Sequence, residues 1–185
     1  MEAPVNLRPP VNLRRGALAD LDAILAIYNH FVEHTPITFD LQLQTRAMRE
    51  PWIQGFRSTG PYQLFVAEDA SELVGYAHSS QFRTKAAYDS SVETTVYLRP
   101  GCEGRGIGRR LYTRLFQAIS EAGVHRAYAG ITLPNDPSIA LHRAFGFEPC
   151  GTWTEVGHKF DRYWDVSFWE KAVGGVATSA SAGSP

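Results

Sequence analysis

The segment that most constrains the fold is Arg99-Pro100-Gly101-Cys102-Glu103-Gly104-Arg105-Gly106-Ile107-Gly108. It follows the β-branched run Ser91–Leu98 and precedes a stretch in which Leu111, Leu115, Phe116 and Ile119 recur at helical spacing. A strand, a glycine-rich turn and a helix in that order form an anion site. The first N–H groups of the helix are unpaired, its dipole favours negative charge, and glycine lets a phosphate approach the main chain. Two familiar phosphate loops are excluded. The P-loop needs a lysine and then Ser or Thr after its last glycine, whereas Ile107-Gly108 follow Gly106. The dinucleotide loop needs G-x-G-x-x-G at the first strand-to-helix turn, whereas these glycines read G-x-G-x-G and lie in mid-chain.

The 185 residues suit one domain with a sizeable core. A formal net charge of −1 lacks the basic excess of a general nucleic-acid binder. Cys102 and Cys150 read as free thiols in a reducing compartment, and His125, His142 and His158 lack paired ligand spacing, so no metal is expected. No signal peptide or membrane span is read, which suggests a cytoplasmic protein.

Residues 1–10 read as an irregular leader, 11–173 as the domain, and the Gly/Ser/Ala-rich 174–185 as a disordered tail. Strands are expected at Val11–Arg15, Tyr62–Glu68, Leu73–Ser80, Ser91–Leu98, Arg126–Thr132, Glu148–Thr154 and Arg162–Trp169. Helices are expected at Asp20–Glu33, from a Thr45 cap to about Arg57, at Gly106–Glu121 and at Asp136–Phe145. This order describes an α/β domain with a mixed, mostly antiparallel sheet flanked by helices.

Glu103-Gly104-Arg105-Gly106-Ile107-Gly108 resembles the acetyltransferase loop Q/R-x-x-G-x-G/A, with Glu103 at the first position in place of Gln or Arg. Downstream, Asn135-Asp136-Pro137-Ser138-Ile139-Ala140-Leu141-His142-Arg143-Ala144-Phe145-Gly146-Phe147 resembles the second signature of the GCN5-related (GNAT) acetyltransferases, with His142 at a position usually held by Tyr. Histidine there is found in the phosphinothricin and methionine sulfoximine/sulfone acetyltransferases. Similarity to that subgroup runs over about residues 11–171, through Tyr28-Asn29-His30, Ala87-Tyr88-Asp89, Val92–Tyr97 and Trp164–Trp169 among others.

The resemblance implies the GNAT fold and transfer of acetyl from acetyl-CoA to the amine of a small amino-acid-like acceptor. It also implies the sites. Gly104, Arg105, Gly106, Ile107, Gly108 and Arg109 would cradle the pyrophosphate through the main chain. Val96, Tyr97 and Leu98 would pair with the pantetheine arm, joined by Asn135 and Ser138, and Val96 or its neighbour would supply the oxyanion donor. Glu93 is the candidate base, direct or through a water. His142 is the second candidate, as acid to the thiolate or base to the ammonium. Arg83 and Lys85 would pair with an anionic acceptor, and Phe39 and Tyr88 would wall its pocket. A homodimer is the subgroup's usual assembly. Acetyltransferases of aminoglycosides, polyamines or protein N-termini, and a non-catalytic CoA-binding module, are the alternatives.

Overall fold

The computed structural model describes residues 11–174. The expected 1–10 leader and nearly all of the 174–185 tail lie outside them. Seven strands form one sheet in the order β1-β2-β3-β4-β5-β7-β6, where β1 is Asn12–Arg15, β2 Leu64–Asp69, β3 Glu72–Gln81, β4 Ser91–Leu98, β5 Arg126–Thr132, β6 Glu148–Lys159 and β7 Arg162–Ala172. Every adjacent pair is antiparallel except β4 with β5. The helices are α1 Leu21–His34, α2 Arg46–Gln54, α3 Ile107–Glu121 and α4 Asp136–Ala144.

The sheet is buried on both faces, and β2 shows how the sequence achieves this. Successive side chains alternate across a strand. Leu64 and Val66 join Leu21, Ile24 and Ile27 of α1 and Ile53 of α2 in one core, while Phe65 and Ala67 join Leu111, Leu115 and Ile119 of α3 in the other. Helix α3 places these residues on one stripe by its i, i+4 spacing and ends where Gly123 takes a left-handed φ of +76°. Helix α2 starts at Thr45, whose hydroxyl accepts the Met48 N–H at 3.4 Å, and continues through Pro51 to Gln54.

The largest departure from the sequence reading is the final hairpin. The expected strand Glu148–Thr154 runs on to Lys159, and its partner extends to Ala172. The turn residues Phe160 and Asp161 both have φ of +54°. Such primed turns match strand twist, but they usually announce themselves by Asn-Gly or Asp-Gly. A bulge between Trp153 and Gly157 breaks the alternation, and there the Glu155 N–H donates to the Asp165 carboxylate at 2.7 Å.

The hairpin also grips the connection between α1 and α2. A Cβ on Gly157 would lie 2.1 Å from the Phe39 ring. Beside it, the buried Lys159 ammonium donates to the Thr38 carbonyl at 2.8 Å, and burial lowers its pKa.

Candidate active site

Strands β4 and β5 pair only at their first residues, Ser91 with Arg126, Val92 with Ala127 and Glu93 with Tyr128. Beyond that register the two strands part. The Thr94 hydroxyl marks the fork by donating to the Tyr128 carbonyl at 3.2 Å. From there a cleft of about 480 Å³ opens, lined by Thr94–Leu98 of β4, by Gly130, Ile131 and Thr132 of β5, by the glycine turn and by α4.

The glycine turn closes one end. Gly104 and Gly106 have φ of +71° and +73°, and a Cβ built on either meets no atom within 4 Å, so both present bare main chain to open space. Gly106 caps α3, which directs its unpaired N–H groups at the cleft end. Glu103, Gly104, Gly106, Ile107, Gly108 and Arg109 line the cleft. Arg105, expected at the cradle, is not among the lining residues; its guanidinium is tied to Asp69 at 2.6 Å. Arg99 likewise bonds Glu72 at 2.7 Å. These two pairs fasten the turn to the β2–β3 connection. The shape and donor set suit a diphosphate; Glu103, exposed beside them, is the one acidic residue on that wall.

Helix α4 forms the facing wall. The Asn135 side-chain oxygen accepts the Ser138 N–H at 3.2 Å, which leaves its amide N–H groups for the cleft. Ser138 and His142 line the same wall. His142 is 3% exposed. Its Nδ1 lies 2.7 Å from the Ser138 carbonyl, which can only accept, so Nδ1 carries the proton. Nε2 lies 3.0 Å from the Tyr112 hydroxyl and therefore accepts from it. Burial lowers the His142 pKa, against a raising contribution from the Ser138 backbone. Burial thus favours the neutral imidazole, with both nitrogens engaged by the protein.

Glu93 sits one residue before the fork. Burial raises its carboxyl pKa, and nearby Arg83 opposes the shift. Arg83 is exposed and lies over the Phe82 ring, 4.6 Å from its centre. Phe82 stacks on Tyr128 at 4.1 Å and meets Tyr88 edge-on at 6.1 Å. Arg83, Tyr88 and Glu93 thus gather around Phe82 and Tyr128, outside the residues that line the large cleft. Lys85 is exposed at the start of the short turn Ala86–Tyr88. Phe39 is half-buried and packs on Gly157 in the hairpin contact.

Sequence reasoning missed Tyr112, Thr94, Phe31, Ile37 and Leu141 as lining residues. Tyr112 had a usable signal. It falls on the apolar face of α3, and a buried tyrosine hydroxyl needs a partner. The others are apolar or small and carry no mark of a site.

Comparison with known proteins agrees with this geometry. The family model described as an acetyltransferase (GNAT) domain matches residues 13–168. The phosphinothricin N-acetyltransferase of Streptomyces coelicolor is 52% identical over 165 residues, covering 88% of this chain and 96% of the relative. The L-methionine sulfoximine/L-methionine sulfone acetyltransferase of Pseudomonas aeruginosa is 36% identical over 158 residues, covering 85% of this chain and 91% of the relative. The crystal structure of a phosphinothricin acetyltransferase from Sinorhizobium meliloti in complex with AcCoA superposes with a TM-score of 0.82 at 34% identity, covering 94% of each chain. An open fork between two parallel strands, a glycine turn at one end and these relatives lead to one conclusion: the chain belongs to the GNAT family and is an acetyltransferase.

Proposed function

We propose that the enzyme transfers the acetyl group of acetyl-CoA to the amine of a small anionic amino acid of the phosphinothricin or methionine sulfoximine/sulfone type. One observation carries this reading. An anion-binding glycine turn follows one end of β4 and a half-buried carboxylate, Glu93, lies near the other, with cleft-lining residues between them. The turn at Gly104–Arg109 would hold the pyrophosphate. Val96, Tyr97 and Leu98, with Asn135 and Ser138, would hold the pantetheine arm, and the main chain near Val96 would stabilise charge on the thioester oxygen.

In this reading Glu93 accepts a proton from the acceptor ammonium, directly or through water, and burial raises its pKa, the direction that strengthens a base. Arg83 beside it offers a bidentate partner to a carboxylate or phosphinate, Lys85 adds positive charge, and Tyr88 and Phe39 contribute walls. A cationic acceptor such as an aminoglycoside or polyamine fits an Arg83-flanked site less well. The reading extends to a cytoplasmic enzyme that works as a homodimer. The exposed Trp153, Val156, Phe160 and Tyr163 on the β6–β7 hairpin support a partner copy there, whereas Trp169, 3% exposed, belongs to the core.

The deciding experiment follows thiol release from acetyl-CoA with phosphinothricin, methionine sulfoximine, methionine sulfone, the common amino acids, an aminoglycoside and a polyamine. Turnover with the anionic acceptors is expected. Preference for the aminoglycoside or polyamine overturns the assignment of the acceptor.

A further inference from the structure

We propose that Tyr112 is a catalytic residue whose hydroxyl shuttles a proton from the acceptor nitrogen to the sulfur of CoA, with His142 as the temporary holder. The inference deepens the acetyl-transfer reading above and rests on it. Four observations place the hydroxyl. It is 3.0 Å from His142 Nε2. It adjoins Thr94, the residue at the fork between β4 and β5. Tyr112, Thr94 and His142 all line the cleft. Tyr112 is fully buried, wedged among His142, Phe116 and Phe145 at ring separations of 5.4 Å.

The His142 tautomer gives the arrangement its direction. Nδ1–H is committed to the Ser138 carbonyl, so the neutral ring has no second proton to give. Its free lone pair, on Nε2, is occupied by the Tyr112 hydroxyl. On the Nε2 side a proton therefore reaches or leaves His142 through the Tyr112 oxygen, while the Ser138 hydroxyl, 3.3 Å from Nδ1, meets the nitrogen whose proton the Ser138 carbonyl holds. The reaction needs one such transfer. An acceptor ammonium loses one proton before attack, to Glu93 or a water. As the C–N bond forms and the C–S bond breaks, the C–S electron pair stays on sulfur and nitrogen must lose a second proton. That proton passes to the Tyr112 oxygen as the hydroxyl proton moves to Nε2. The reverse movement then delivers a proton to sulfur and restores Tyr112 and neutral His142. Nitrogen and sulfur are joined in turn to the same carbonyl carbon, so one oxygen can serve both.

The test compares wild type with Tyr112→Phe, which removes only the hydroxyl. The expected result is a kcat at least about 10²-fold lower, the scale of general acid–base catalysis, with acetyl-CoA affinity by calorimetry within about threefold. Tyr112→Phe combined with His142→Ala should be no worse than the poorer single variant, because the two act as a unit. Multiplying losses overturn the shuttle. So does a Tyr112→Phe kcat within about threefold of a working wild type. Absence of thiol release by wild type with every acceptor overturns the acetyl-transfer reading and the shuttle together. A measurement on the unmutated enzyme stands apart from activity and from folding of the variant. Nitrogen-15 NMR of His142 should show a protonated Nδ1 and an accepting Nε2, and the opposite tautomer overturns the proposal.

Discussion

Gly106→Asp separates the fold from the acyl-donor site. Gly106 caps α3 at φ of +73°, and a Cβ there meets nothing within 4 Å. A left-handed conformation costs an ordinary side chain about 1–2 kcal/mol, and less for Asp and Asn, which adopt it more readily. A negative charge at the first turn of a helix recovers about 0.3–1 kcal/mol. The net change in stability is therefore within about 1 kcal/mol, a shift of only about 2–4 °C in Tm for a domain of this size. Binding should respond differently. A unit charge about 5 Å from each of two phosphate charges, at an effective dielectric of about 40, is repelled by roughly 3 kcal/mol, or about 10²-fold in Kd. Gly106→Asn has nearly the same shape without the charge, so the ratio of the two affinities isolates the electrostatic part. Calorimetry with acetyl-CoA and a thermal melt measure both quantities. A folded Gly106→Asp that binds acetyl-CoA as tightly as Gly106→Asn refutes the placement of the phosphates at this turn.

Glu93→Gln keeps the shape of the side chain and removes the base, so kcat/KM should fall by roughly 10²–10⁴. Because burial raises this carboxyl, wild-type activity should be lost as pH falls through a value above the ordinary glutamate range, and the variant's pH–rate profile should lack that limb. Arg83→Ala and Lys85→Ala should raise KM for an anionic acceptor more than KM for acetyl-CoA; equal effects on both place these residues outside the acceptor pocket. Light scattering at micromolar concentration should give the mass of two chains, and serine at both Trp153 and Tyr163 should shift it toward one.

The periodic elements were legible because burial writes itself into spacing: Leu111, Leu115 and Ile119 fix α3, and Leu64 to Ala67 fix a strand covered on both faces. The glycine turn was legible because few other residues tolerate the conformations of Gly104 and Gly106. The long hairpin was not, since Phe160 and Asp161 form a tight turn without glycine and the bulge before Gly157 interrupts the period of two. The surroundings of His142 were half-legible. Its position in the α4 pattern marks it as a site residue, but the Tyr112 hydroxyl comes from a different helix, 30 residues earlier, and only the packing brings the two together. Arg105 shows the converse. Sequence places it within the phosphate loop, and its side chain instead anchors that loop to Asp69.

The seat of Phe39 on the bare backbone of Gly157 joins two parts of the chain 118 positions apart, like a peg in a socket. With Lys159 latched to Thr38 beside it, the segment around Phe39 takes its position from the edge hairpin and not from its own sequence. With Phe39 as a wall of the acceptor pocket, as proposed, the breadth of substrates becomes adjustable from a distance. A methyl group at position 157 would displace the ring while leaving Glu93, His142 and the glycine turn untouched. Acceptor preference could then drift through changes in a solvent-facing hairpin, with the machinery of acetyl transfer held constant.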